Sequence, residues 1–116
     1  MPPEADEDRD KAYLFDIVHG VRLALGYVEG VSRKQFDADA KAQDAVIRRL
    51  TVIGEAAKRL SDGLRKRYPD IPWKQMAGMR DIIVHEYDRI DLDTVWNVLR
   101  GEFANLLPQL ERIVET

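Results

Sequence analysis

The sequence predicts an all-α protein, an antiparallel bundle of four or five helices. Three observations carry that expectation. Apolar residues recur at spacings of three and four along most of the chain, the period of a helix with one buried face. The breaks between these stretches are short and hold cap and turn residues. No segment alternates like a strand, and the one β-branched run, Ile82-Ile83-Val84, is three residues long within helix-type sequence. Short connections then make consecutive helices antiparallel neighbours.

The first helix is read from Tyr13, Leu14, Ile17, Val18, Val21, Leu25 and Val28, with Gly30 as its stop. His19 lies beside this stripe and is expected at the surface. Ser32 followed by Gln35 is a capping-box start for a short turn. The longest periodic segment carries Val46, Leu50, Ile53, Ala57, Leu60 and Leu64, and is expected to bend or break at Ser61–Gly63. Pro69 and Pro72 then force a break, and Pro72 suits the first turn of the next helix. That helix is expected to run through Trp73, Met76, Met79, Ile82 and Ile83. Asp91 is a good N-cap for the last helix, which carries Val95, Trp96, Leu99, Phe103, Leu106, Leu110 and Ile113. Pro108 should kink or restart it. Gly78 and Gly101 lie within helical patterns, and close helix approach, within the chain or at a dimer interface, is the expected reason.

The chain has 116 residues, 45% hydrophobic and 34% charged, enough for one folded domain with its own core. It has no cysteine, which excludes disulfides and thiolate metal sites. No apolar run is long enough to span a bilayer, so a cytoplasmic location without membrane contact is expected. Net charge is −3, unevenly spread. Residues 1–10 hold five acids and one base, and the remaining 106 hold 16 acids and 17 bases, or +1. Residues 1–9 are therefore set apart as a disordered acidic tail, and residues 10–116 as a single helical domain. Nucleic-acid contact would need a local basic patch.

The chemistry-bearing stretch is GMRDIIVHEYDRID, Gly78 to Asp91. An arginine holds a phosphodiester bidentately and stabilises charge on its oxygens. A histidine exchanges protons near neutral pH. Arg80 and His85 could thus cleave RNA without a metal, using the ribose 2′-OH as internal nucleophile. Helical geometry complicates this. At about 100° per residue, Arg80 and Tyr87 lie roughly 20° apart, whereas His85 lies about 140° from Arg80. Either the helix loosens near His85, or two copies of the motif meet across a two-fold axis. The plainer alternative stays open on spacing alone: an exposed Arg80, a His85 satisfied by Asp81 or Asp88, and a Tyr87 covering the core.

The segments AVIRRLTVIGEAAKRLS and IPWKQMAGMRDIIVHEYDRIDLDTVW closely resemble the HepT-like toxins of the HEPN superfamily, over nearly the whole chain after the acidic tail. The resemblance rests on Ile53–Ala56, Ile71-Pro72-Trp73, the Arg-x4-His-x-Tyr core and Asp93–Trp96. It implies a HEPN-like helical bundle, a homodimer with both motifs lining a shared cleft, and the toxin half of a toxin–antitoxin pair. The implied activity is metal-independent endoribonuclease cleavage by Arg80 and His85, without a cofactor. The implied partners are RNA and an MNT-type nucleotidyltransferase antitoxin, which in such systems can transfer AMP to the motif tyrosine, here Tyr87. Asp81 departs from the superfamily pattern, where Asn commonly follows the arginine. The alternative function is a non-catalytic helical module that binds and regulates a nucleotidyltransferase. A DNA-binding helix-turn-helix lacks a basic recognition helix.

Two supporting groups remain. Glu55, in an apolar stretch, could pair with Arg80 or orient His85, or could be a boundary residue paired with a nearby base. Lys58, Arg59, Arg65, Lys66 and Arg67, extended by Lys74, could follow an RNA backbone or form a solvated helix face.

Overall fold

The apolar stripe Leu14, Ile17, Val18, Val21 and Val28 is buried, and it belongs to helix α1 (Pro3–Tyr27) and the turn that follows it. The computed structural model describes residues 3–85 and 89–115; the side chains of residues 3–5, 82, 84 and 85 lie outside that description. It is all-α in architecture, as the periodicity predicts. α1 packs antiparallel along α3 (Ala40–Arg59), whose Val46, Leu50, Ile53 and Ala57 are buried. The axes approach closely at Gly20, where an added Cβ would sit 2.8 Å from Ile53 Cγ1.

α1 begins at Pro3, so the expected division at residue 9 is not where the helix starts. Proline is well placed at a first helical position, where its missing N–H has no intrahelical partner to lose. Acids in the first turns also favour the positive end of the helix dipole. Asp10 anchors the segment: it is buried, and its carboxylate accepts hydrogen bonds from Ser61 N (2.9 Å) and Ser61 Oγ (2.6 Å).

The expected caps occur where local chemistry puts them. Gly30 follows α1 with φ of +71°. Ser32 and Gln35 form a reciprocal capping box at α2 (Arg33–Asp37). The long segment breaks after Arg59, and Ser61 caps α4 (Asp62–Arg67) through Leu64 N. Arg65 turns back to donate to the carbonyls of Lys58 and Leu60, both at 2.8 Å, satisfying the end of α3. Arg33 bridges α2 to the start of the last helix, 2.7 Å from both Asp37 and Asp93. Its hydrogen bond to Asp37, then that to Asp93, raise its pKa above the ordinary arginine value.

The helix expected across the motif is shorter than its pattern suggests. It divides at Gly78 into α5 (Trp73–Ala77) and α6 (Met79–Ile83). Gly78 is thus the junction between two short helices. After Ile83 the chain becomes extended, and β1 (Val84–His85) pairs antiparallel with β2 (Arg89–Ile90). The partners are Val84 with Ile90 and His85 with Arg89, and Asp91 N–H donates to the Ile83 carbonyl at 2.8 Å. The expectation of no strand is corrected to this extent: the β-branched run ends a helix rather than continuing it.

Asp91 then caps α7 (Leu92–Asn97) by accepting from Thr94 N at 3.1 Å. A π-helical segment, Val98–Phe103, joins α7 to α8 (Ala104–Glu115). Pro108 lies inside α8, and the expected restart falls one turn earlier, at Ala104, the residue whose carbonyl receives no N–H from Pro108. Gly101 is exposed in the π-helical segment, and a Cβ there would meet nothing within 4 Å, so close approach within the chain does not explain it. Arg100 fastens the segment to the α1–α2 connection, donating to the carbonyls of Val28 (2.7 Å) and Val31 (2.6 Å) while stacking 4.6 Å over Trp96.

Candidate functional site

The motif region is positioned by a glycine. Gly54 is buried on α3, and a Cβ added there would lie 3.2 Å from the Met76 carbonyl oxygen and 3.6 Å from Met79 Cβ. The bare backbone therefore lets α3 touch the α5–α6 junction directly. Met76, Met79 and Ile83 are buried and hold this junction and α6 on the core. Arg80 and Asp81, between these anchors, are exposed.

His85 follows on β1, just after the helix ends. The backbone thus loosens between Arg80 and His85, one of the two arrangements the helical angles demanded. The helical offset of about 140° no longer applies beyond Ile83. The His85 side chain lies outside the described part of the structure, and Tyr87 lies outside the described residues altogether.

Glu55 is not on the core face. It is exposed, and its carboxylate lies 3.7 Å from Lys58 Nζ, one turn along α3. The physical reason is helical phase: Glu55 is two residues, about 200°, from buried Ile53. The pairing with a nearby base is the alternative the structure supports, and Arg80 is not its ion-pair partner. Both members of that pair are half exposed, so the interaction is weak.

The basic residues separate into different roles. Lys58 and Arg59 are exposed at the end of α3, and Lys74 is exposed on α5. Arg65 is committed to capping α3, and Arg67 stacks on Tyr68 at 5.7 Å. His19 is exposed and stacks on Phe15, with ring centroids 5.7 Å apart.

A cleft of about 290 Å³ opens beside the motif helix, between α5 and the π-helical segment. Its polar rim was not visible as a site in the sequence, because its residues come from separate elements. Gly54 carried a usable signal, a glycine in the middle of a strongly periodic helix.

A family model described as "Ribonuclease HepT-like" matches residues 17–115. A probable ribonuclease HepT of Thermococcus cleftensis is 34% identical over 103 residues, covering 89% of this chain and 94% of the relative. A Methanocaldococcus jannaschii protein, provisionally named an RNase, is 34% identical over 105 residues, covering 90% of this chain and 87% of its own. One from Caldanaerobacter subterraneus, named likewise, is 32% identical over 105 residues, with 90% and 94% covered. No solved structure matches significantly.

Proposed function

The chain belongs to the HepT-like ribonuclease family, and from that premise we propose that it is a metal-independent endoribonuclease whose catalytic residues are Arg80 and His85. The observation that supports this reading best is the end of α6 at Ile83, which frees His85 from the helical phase of an exposed Arg80. His85 takes the proton of a ribose 2′-OH as that oxygen attacks the adjacent phosphorus. The P–O5′ bond breaks, and the departing 5′-oxygen takes a proton from water. The products are a 2′,3′-cyclic phosphate and a 5′-hydroxyl. Arg80 donates to the non-bridging oxygens, where charge builds in the transition state.

The chain acts as the toxin of a toxin–antitoxin pair in the cytoplasm and works as a homodimer, with the two motifs facing one cleft. Its antitoxin is an MNT-type nucleotidyltransferase that places AMP on Tyr87. An anionic adduct two residues from His85 would compete with RNA phosphate, which gives the modification its inhibitory effect. Among the described residues no helix is long and apolar enough to cross a membrane.

RNA incubated with purified protein in EDTA is expected to be cut, and His85→Ala to slow cutting by about two to four orders of magnitude. Equal rates for both proteins would remove the assigned mechanism. Mass spectrometry of the chain co-expressed with the nucleotidyltransferase is expected to find one AMP on Tyr87. Suppressed toxicity with no adduct would replace modification by simple occlusion. Exposed Asp81, beside Arg80, favours a second reading: a non-catalytic module whose motif is a docking surface for the nucleotidyltransferase. Growth arrest on expression, lost with His85→Ala, separates the enzyme from the module.

A further inference from the structure

We infer that Arg89 is a second phosphate-binding residue of the cleavage site, placed across the β1–β2 ribbon from His85. The inference rests on the ribonuclease reading for the role of His85. The ribbon supplies the placement. His85 and Arg89 are register partners in its antiparallel ladder. The backbone here is held by the neighbouring pair, Val84 with Ile90, and by the Asp91 N–H on the Ile83 carbonyl at 2.8 Å. Opposed residues of such a ladder have Cα atoms about 4.5–5.5 Å apart and share one face of the ribbon.

That face is open to solvent. Ile90 is half-buried and packs against the core. Successive strand residues alternate between faces, so Arg89 belongs to the outer one, and it is exposed. Asp91, two residues on, caps α7 by accepting from Thr94 N at 3.1 Å, which fixes the end of β2. Arg80 stands one helical turn before Ile83, the residue bonded to Asp91. The two arginines therefore flank one junction, where α6 ends and the ribbon begins.

Charge gives the residue its task. From Gly78 to Asp93 the sequence carries five acids and two bases other than histidine, Arg80 and Arg89. RNA brings a negative charge at every phosphate, and one arginine offsets little of that in so acidic a window. Neighbouring arginines are committed elsewhere. Arg33 is held by Asp37 and Asp93, both at 2.7 Å, and Arg100 by the carbonyls of Val28 and Val31. Among the described residues the Arg89 side chain has no hydrogen bond or ion pair. Its planar guanidinium suits a two-point grip on phosphate oxygens. Arg80 takes the reacting phosphate and Arg89 a neighbouring one, so Arg89 contributes to binding more than to the chemical step.

The test measures binding of the full chain to a short 2′-O-methyl oligonucleotide, which lacks the internal nucleophile, by fluorescence anisotropy over a range of salt. Arg89→Ala is expected to weaken binding about tenfold at low salt and to flatten the plot of log K against log salt by about 0.7, the value of one phosphate contact on a single strand. Arg89→Lys is expected to restore the slope, because a point charge still displaces a counterion. Arg112→Ala, which removes the same charge from an exposed position on α8, is expected to leave the slope unchanged. In cleavage of the matching RNA, Arg89→Ala is expected to raise KM about tenfold with kcat within about threefold of wild type. Unchanged slope and KM in Arg89→Ala, with wild-type cleavage intact, would overturn the assignment and leave the ribonuclease standing. A lower kcat with an unchanged slope and no recovery in Arg89→Lys would also overturn it, making Arg89 a structural part of the ribbon. A flattened slope in Arg89→Ala, in a chain that cuts no RNA, would keep the phosphate site and sink the ribonuclease.

Discussion

Arg80→Ala is expected to lower kcat/KM for RNA cleavage by about a hundred- to a thousandfold, the usual loss when one donor to a developing oxyanion is removed. The effect should be chemical rather than structural. Arg80 is exposed on α6, while the neighbouring Met79 and Ile83 carry the packing. Stability should therefore change by less than about 0.5 kcal/mol. Arg80→Lys keeps the charge but not the fork of parallel donors, and should recover only part of the rate. Asp81→Asn should move the rate the other way by a few fold, because it removes a negative charge that would repel a phosphate held by Arg80. Single-turnover cleavage of one fixed RNA, with thermal melts of each variant, checks all three. An Arg80→Ala rate within threefold of wild type would show that the guanidinium does not hold the reacting phosphate.

Gly54→Val is expected to destabilise the fold and to damage the site from a distance. Its Cβ would press on the Met76 carbonyl at 3.2 Å, and the obstructing atom is backbone, which cannot swing aside. Overpacking of this kind costs about 1–3 kcal/mol. At roughly 5 °C per kcal/mol for a domain of this size, the melting temperature should fall by about 5–15 °C. The α5–α6 junction must move off α3 to relieve the clash, and α6 carries Arg80. Cleavage should then fall in protein that is still folded at the assay temperature, although Arg80 and His85 are both intact. Differential scanning calorimetry paired with cleavage assays reads both effects, and an unchanged melting temperature would mean that the junction gives way freely.

The parts of the fold legible in the sequence are those written in local chemistry. Ser32 with Gln35, Ser61 and Asp91 cap helices through atoms only three residues away, so a short window contains the whole interaction. The buried stripes of α1 and α3 were legible because a helix repeats its phase. The missed features depend on partners distant in sequence. α1 extends back to Pro3, and its tether joins Asp10 to Ser61, fifty-one residues away. Arg65 looked like one more cation in a basic run until α3 placed two carbonyls within its reach. Ile83 ends a helix because the chain pairs with Arg89–Ile90, and no propensity of Ile82–Val84 announces that pairing. Glu55 is different: its phase relative to Ile53 was available, but the apolar composition around it suggested burial that the phase does not allow. Of the candidate site, the residues stand in one short window of sequence, and the end of the helix between Arg80 and His85 was foreseen only as an alternative.

The π-helical segment has a consequence for comparing lengths. Val95, Leu99 and Phe103 are spaced four apart and all buried, although steps of four drift by about 40° each on an ideal α-helix. The wider i→i+5 turn absorbs that drift, as an extra residue kept inside the helix would. The spacing returns to a mixture of three and four at Leu106, Leu110 and Ile113 once α8 resumes. An alignment of this chain with a relative whose last helix is uninterrupted must therefore place its one-residue gap within Val98–Phe103. A gap placed in the α6–α7 connection instead would pair every core position from Leu92 to Phe103 with a neighbour about 100° out of phase.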